Sequence, residues 1–139
     1  MSNVQCPISK SENDVKARTV QYDLEQRLID FAVIVIDIAE ELPASRAGNH
    51  IASQLIRCGT SSAPNYGEAQ SAESRNDFIH KMMIAFKELR ETRVWLRLIL
   101  RKPFVQNGRT VQAGMDECEQ LLRIFWKSIS TAKSGKGSR

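Results

Sequence analysis

From Ser74 to Arg101 the sequence SRNDFIHKMMIAFKELRETRVWLRLILR places apolar residues at three- and four-residue intervals, a spacing that only an α-helix turns into a face. At about 100° per residue, Phe78, Met82, Ala85, Phe86, Leu89, Leu96 and Leu100 share roughly 100° of arc and predict the core stripe. Ser74 is placed to cap this helix, with Asp77 following as in a capping box, and Pro103 stops it. Ile84, Trp95, Leu98 and Ile99 lie on another side, with Ile79, Met83 and Val94 between. A helix apolar on more than one face needs more than one partner surface.

Three more segments carry the helical period. From about Tyr22 to Leu42, the residues Leu24, Leu28, Phe31, Val35, Ile38 and Leu42 form one stripe, with Ile29, Val33 and Ile36 opposite it. Pro43 closes that helix. A second runs from about Ser45, with Ile51, Leu55 and Cys58 on one side and Ala52, Ile56 and Ala63 beside them. Gly59, the hydroxyls of Thr60, Ser61 and Ser62, and Pro64 fit a kink near Pro64 with helix resuming to about Ser71, the reading preferred to a plain loop over 59–72. The fourth, from about Val111 to Thr131, aligns Met115, Cys118, Leu121, Leu122, Phe125 and Ile129. Its acids gather early and its lysines late, the order the helix dipole favours. Four such helices with short connections predict an all-α, antiparallel up-down-up-down four-helix bundle.

The chain's 139 residues suit a single domain, read as a flexible polar leader at 1–20, the bundle at 21–132 and a basic tail at 133–139. The formal charge of +4 is uneven, since Lys127 to Arg139 holds four bases and no acid while residues 21–126 hold thirteen bases and fourteen acids. The body is thus nearly neutral, and the excess sits in a tail that acts as a solubilising end or a weak phosphate contact. Three scattered cysteines and no apolar leader segment predict a reducing, cytoplasmic setting. The longest apolar run, Phe31 to Ile36, is too short to cross a membrane.

Sites of chemistry are scarce. His50 and His80 sit on different helices without a partner at metal-ligand spacing, which predicts surface residues. Cys58 would need a neighbouring base to act as a nucleophile, and a small core residue is the simpler reading. Arg93 falls at the edge of the core stripe, so an acid, Glu68 or Glu91, is expected to meet it. Arg90, Arg97 and Arg101 form an adjacent line, which either grips phosphates or lies along an oligomer interface.

The pieces IRCGTSSAPNYGEAQSAES and DFIHKMMIAFKELRETRVWLRLI resemble the signature of the 23S rRNA intervening-sequence protein family, a four-helix-bundle family also called S23. The resemblance spans roughly residues 22–132 and rests on Arg57, Gly59, Thr60, Ser61, Asn65, Tyr66, Glu68, Ala69, Glu73, Phe78, Glu88, Glu91, Trp95 and Leu96. The chain departs from the pattern at Pro64, where alanine is expected, and at Gly67, where a base is usual. The resemblance implies an antiparallel four-helix bundle, commonly a homopentamer, of bacterial origin. It also implies a likeness in fold to the accessory variability determinant of diversity-generating retroelements. It brings no catalytic residues.

The expected function is therefore a non-enzymatic oligomeric module that scaffolds RNA or a ribonucleoprotein, with Arg90, Arg97, Arg101, Lys133 and Lys136 as contacts. The alternative is a protein-interaction module without a nucleic-acid role. Self-association is expected through Ile29, Val33, Ile36, Ile84, Trp95, Leu98 and Ile99. No cofactor, metal, membrane or small-molecule substrate is expected.

Overall fold

The computed structural model describes residues 12–102 and 104–135, with side chains from Leu24 onward. Four helices are present, α1 (Glu12–Glu41), α2 (Arg46–Gln70), α3 (Arg75–Arg101) and α4 (Arg109–Lys133), and the described residues contain no strand. Each helix packs on its neighbour in sequence, and α1 also meets α4, so the four close around one core. No helix of the described residues is long and apolar enough to cross a membrane.

Local chemistry sets the helix ends. The Ser45 hydroxyl accepts the Gly48 amide at 3.0 Å and the Ser74 hydroxyl accepts the Asp77 amide at 3.0 Å, each satisfying a donor that has no partner within its own helix. At the start of α4, where Gly108 offers no side-chain cap, the Asn107 amide oxygen accepts the Arg109 amide at 3.0 Å. Helix α1 begins at Glu12 rather than near Tyr22. The intervening residues lack an apolar stripe, and a stripe is the signal by which the sequence locates that helix. Residues 1–11 and Pro103 lie outside the described residues.

Helix α2 runs through Pro64 without a break. The Thr60 hydroxyl donates to the Ile56 carbonyl at 2.6 Å and the Ser61 hydroxyl to the Cys58 carbonyl at 3.0 Å. Proline deprives the carbonyl four residues earlier, that of Thr60, so these hydroxyls bond to carbonyls other than the one Pro64 frees. The Asn65 amide adds a bond to the Ser61 carbonyl at 2.9 Å, supporting the turn around the proline.

The core follows the stripes with one rotation. On α1 the residues Leu24, Leu28, Phe31, Val35, Ile38 and Leu42 are all buried, and on α4 so are Met115, Cys118, Leu121, Leu122, Phe125 and Ile129. On α3 the buried arc is rotated from the one the spacing marks: Ile99, expected at an oligomer interface, is 1% exposed, while Leu100, expected in the core, is 37% exposed. Thr92, one heptad before Ile99, is fully buried on the same side. Its hydroxyl donates to the Glu88 carbonyl at 2.7 Å, so a polar side chain occupies the core without an unpaired donor.

Candidate nucleic-acid interface

The motif residues divide between two tasks. Arg57 on α2 reaches across to α3, where its guanidinium donates to Glu88 at 3.3 Å and to Glu91. The same Glu91 oxygen accepts the Trp95 indole N–H at 3.1 Å, and the His50 and Trp95 rings meet in a T-shaped contact at a centroid distance of 5.9 Å. Gln54 accepts two further bonds from Arg57, at 3.3 and 3.1 Å. Farther along, Lys81 on α3 donates to Glu68 on α2 at 2.8 Å, and the hydrogen bond and charge of Glu68 raise the Lys81 pKa. As α2 advances from Arg57 to Glu68, its partners on α3 recede from Glu91 to Lys81, so the two helices run in opposite directions. These are half-exposed braces between helices, and they offer no nucleophile.

The remaining motif residues serve packing. Gly59 lets α1 approach, as Val35 lies directly against its α-carbon. Tyr66 is buried in a T-shaped contact with Phe125, at a centroid distance of 6.1 Å. Burial, with the charge of Glu25, raises the Tyr66 pKa.

The thiols are inert by the same logic. Cys58 and Cys118 are fully buried and unpaired, and burial pushes them up to about 11 and about 12 respectively. The Cys118 thiol donates to the Leu89 carbonyl at 3.3 Å. His50 and His80 are exposed, and no group of histidine, cysteine and carboxylate among the described residues is arranged to hold a metal.

Cations gather on the outer face of α3. Arg90, Arg97 and Arg101 are exposed, and none has a carboxylate within ion-pair distance among the described residues. Lys133, at the end of α4, is also exposed, and Lys136 lies outside the described residues. Arg93 does not find the expected acid. Glu91 is committed to Arg57 and Trp95 and Glu68 to Lys81, and the Arg93 Nε is closed off from solvent with no acceptor.

Arg93 instead lines a groove of about 340 Å³ between α3 and α4, with Phe86, Arg90, Glu119, Leu122, Arg123 and Trp126. Neither Arg123 nor Trp126 stands out in the sequence as a site residue. Trp126 lies one turn beyond Leu122, at the edge of the α4 stripe, and that position is the one signal that could mark it.

Of the apolar residues expected at an interface, Ile29, Val33, Ile36 and Leu98 are exposed, and Ile84 and Trp95 are half-buried. Ile99 belongs to the core, Val94 is exposed on the strip that the spacing leaves off the core stripe, and Leu100 and Trp126 add exposed apolar surface that the spacing does not predict.

Comparison with curated proteins found no match. Among solved structures, the chain is similar to a crystal structure of a protein of unknown function from the S23 ribosomal protein family of Bacteroides thetaiotaomicron VPI-5482. The two share 28% identity at a TM-score of 0.70, over 76% of this chain and 97% of the other. Residues 21–127 match the family model described as 23S rRNA-intervening sequence protein, and the chain belongs to that family.

Proposed function

We propose that this protein is a non-enzymatic, self-associating four-helix module of the cytoplasm that holds RNA or a ribonucleoprotein partner on its α3 face. The observation that carries this reading is the line of Arg90, Arg97 and Arg101, exposed and without ion pairs among the described residues. Arg57 and Lys81, by contrast, are each held by a carboxylate. Cations left unneutralised along one helix present an attractive field to a polyanion, and phosphate contacts release counterions.

The test is a titration of structured RNA at several salt concentrations. Affinity falls as salt rises, and replacing the three arginines by alanine flattens the logarithmic slope by roughly one for each phosphate that is no longer neutralised. Absence of binding at low ionic strength overturns the reading.

A second reading, a protein-interaction module without RNA, draws on Ile29, Val33 and Ile36, which expose an apolar strip on α1. Capture of a specific protein partner that survives nuclease treatment favours it.

A further inference from the structure

We infer that the α3–α4 groove is a pocket for one unpaired nucleotide, its base stacked on Trp126 and its phosphate held by Arg90, Arg93 and Arg123. The inference rests on the RNA reading above and narrows it from an electrostatic face to a built site.

Three observations meet in the groove. Trp126 is 55% exposed, the highest exposure but one among the large apolar side chains described, on a helix whose neighbouring Phe125 is fully buried. The Trp126 ring leans on Phe86 with centroids 5.7 Å apart and planes 38° apart, which steadies one side of the indole and leaves surface free for another aromatic ring. Three guanidinium groups line the groove against a single carboxylate, Glu119, and no ion pair joins that carboxylate to any of them.

The charge is also incompletely satisfied. The Arg93 Nε is buried with no acceptor, an expensive state for a cationic donor. A nearby anion would offset that cost, and a phosphate adjoining a stacked base supplies the anion and the ring together. The cleft's volume, about 340 Å³, is of the size that small ligands occupy. Aromatic rings beside arginines are the means by which proteins hold single-stranded RNA, whereas paired bases are already stacked and present mainly backbone.

The experiment compares a short single-stranded RNA, the blunt duplex of the same sequence, and inorganic polyphosphate. Each is titrated against the full chain and its Trp126→Ala, Trp126→Phe and Arg123→Ala variants. Trp126→Ala weakens single-strand binding by about 5- to 150-fold and leaves duplex binding unchanged, Trp126→Phe keeps most of the affinity, and Arg123→Ala lowers the salt slope by roughly one. Single-stranded RNA quenches tryptophan emission in the wild type, and Trp126→Phe abolishes the quench.

If Trp126→Ala leaves single-strand affinity unchanged while RNA still binds, or polyphosphate competes as well as RNA, the groove assignment falls and the RNA reading stands. If no RNA binds at low salt, both fall. A drop in assembly mass on Trp126→Ala identifies the groove's occupant as a second copy of the chain and overturns the inference. Trp126 lies largely outside the core, so circular dichroism of its variants should match the wild type, which separates lost binding from lost fold.

Discussion

Gly59 of α2 and Val35 of α1 touch with no room for a methyl group between them: a β-carbon on Gly59 would stand 2.5 Å from Val35 Cγ1 and 2.8 Å from Cγ2. Val35 is fully buried and β-branched, so it has little freedom to yield. Gly59→Ala is expected to destabilise the protein by about 1–2 kcal/mol in urea denaturation, overpacking outweighing the helix propensity gained. Val35→Ala should cost less in that background than in the wild type, and equal costs would show that the two positions do not meet.

Gly67 is the control on the same helix, since nothing lies within 4 Å of a β-carbon placed there. Gly67→Ala should raise stability by about 0.5–1 kcal/mol through helix propensity alone. A loss on this substitution would contradict the packing of α2.

The Arg57 guanidinium and Trp95 indole share one acceptor, Glu91. Because Arg57 is about half exposed, the charge pair should couple only weakly in a cycle of Arg57→Met and Glu91→Gln, and less at high salt. Glu91→Gln keeps an oxygen for the indole, so tryptophan emission should change less than in Glu91→Ala. A strong coupling that does not weaken with salt would mean a pair far more shielded from solvent than these exposures allow.

The thiols predict an alkaline limit. Burial holds Cys58 near 11 and Cys118 near 12 in the folded chain, above the ordinary thiol value of 9.0. Above about pH 9 the unfolded chain therefore ionises its thiols first, and the stability owed to burial drains away as pH rises toward the folded values. The urea midpoint should fall between about pH 8 and pH 11. In a Cys6→Ser background, thiol labelling at about pH 8 should be slow until denaturant is added, and rapid labelling of the folded protein would contradict the burial.

The exposed strip of Ile29, Val33 and Ile36 predicts assembly. Light scattering at micromolar concentration should give a multiple of the chain mass, which Val33→Asp lowers without changing helicity. A wild-type monomer would remove self-association from the proposed function.

The sequence is most legible where one signal suffices. Helix α1 and helix α4 each bury the whole stripe that three- and four-residue spacing marks, because the residues of such a stripe lie on one side of a helix and are covered together. Ser74 as a cap is legible for a similar reason, since the contact is local. On α3 spacing misleads: with apolar residues on several faces the sequence allows more than one buried arc, and Thr92 disguises the true one by being polar. The candidate site is half visible. Arg90, Arg97 and Arg101 form a line within one helix, but the groove needs Arg123 and Trp126 from another, and no spacing within a segment says which residues two helices bring together.

By itself, then, the amino-acid order determined four helices, the Ser74 cap, the buried stripes of α1 and α4 and the membership of a family, since all of these rest on neighbours within a few turns or on a run of residues read in order. Only the tertiary structure decided that α3 turns Ile99 and Thr92 inward, that Arg93 goes without its expected acid, and that Gly59 makes way for Val35. Those outcomes depend on the rotation and closeness of one helix against another, which packing of the whole core selects and no single helix specifies.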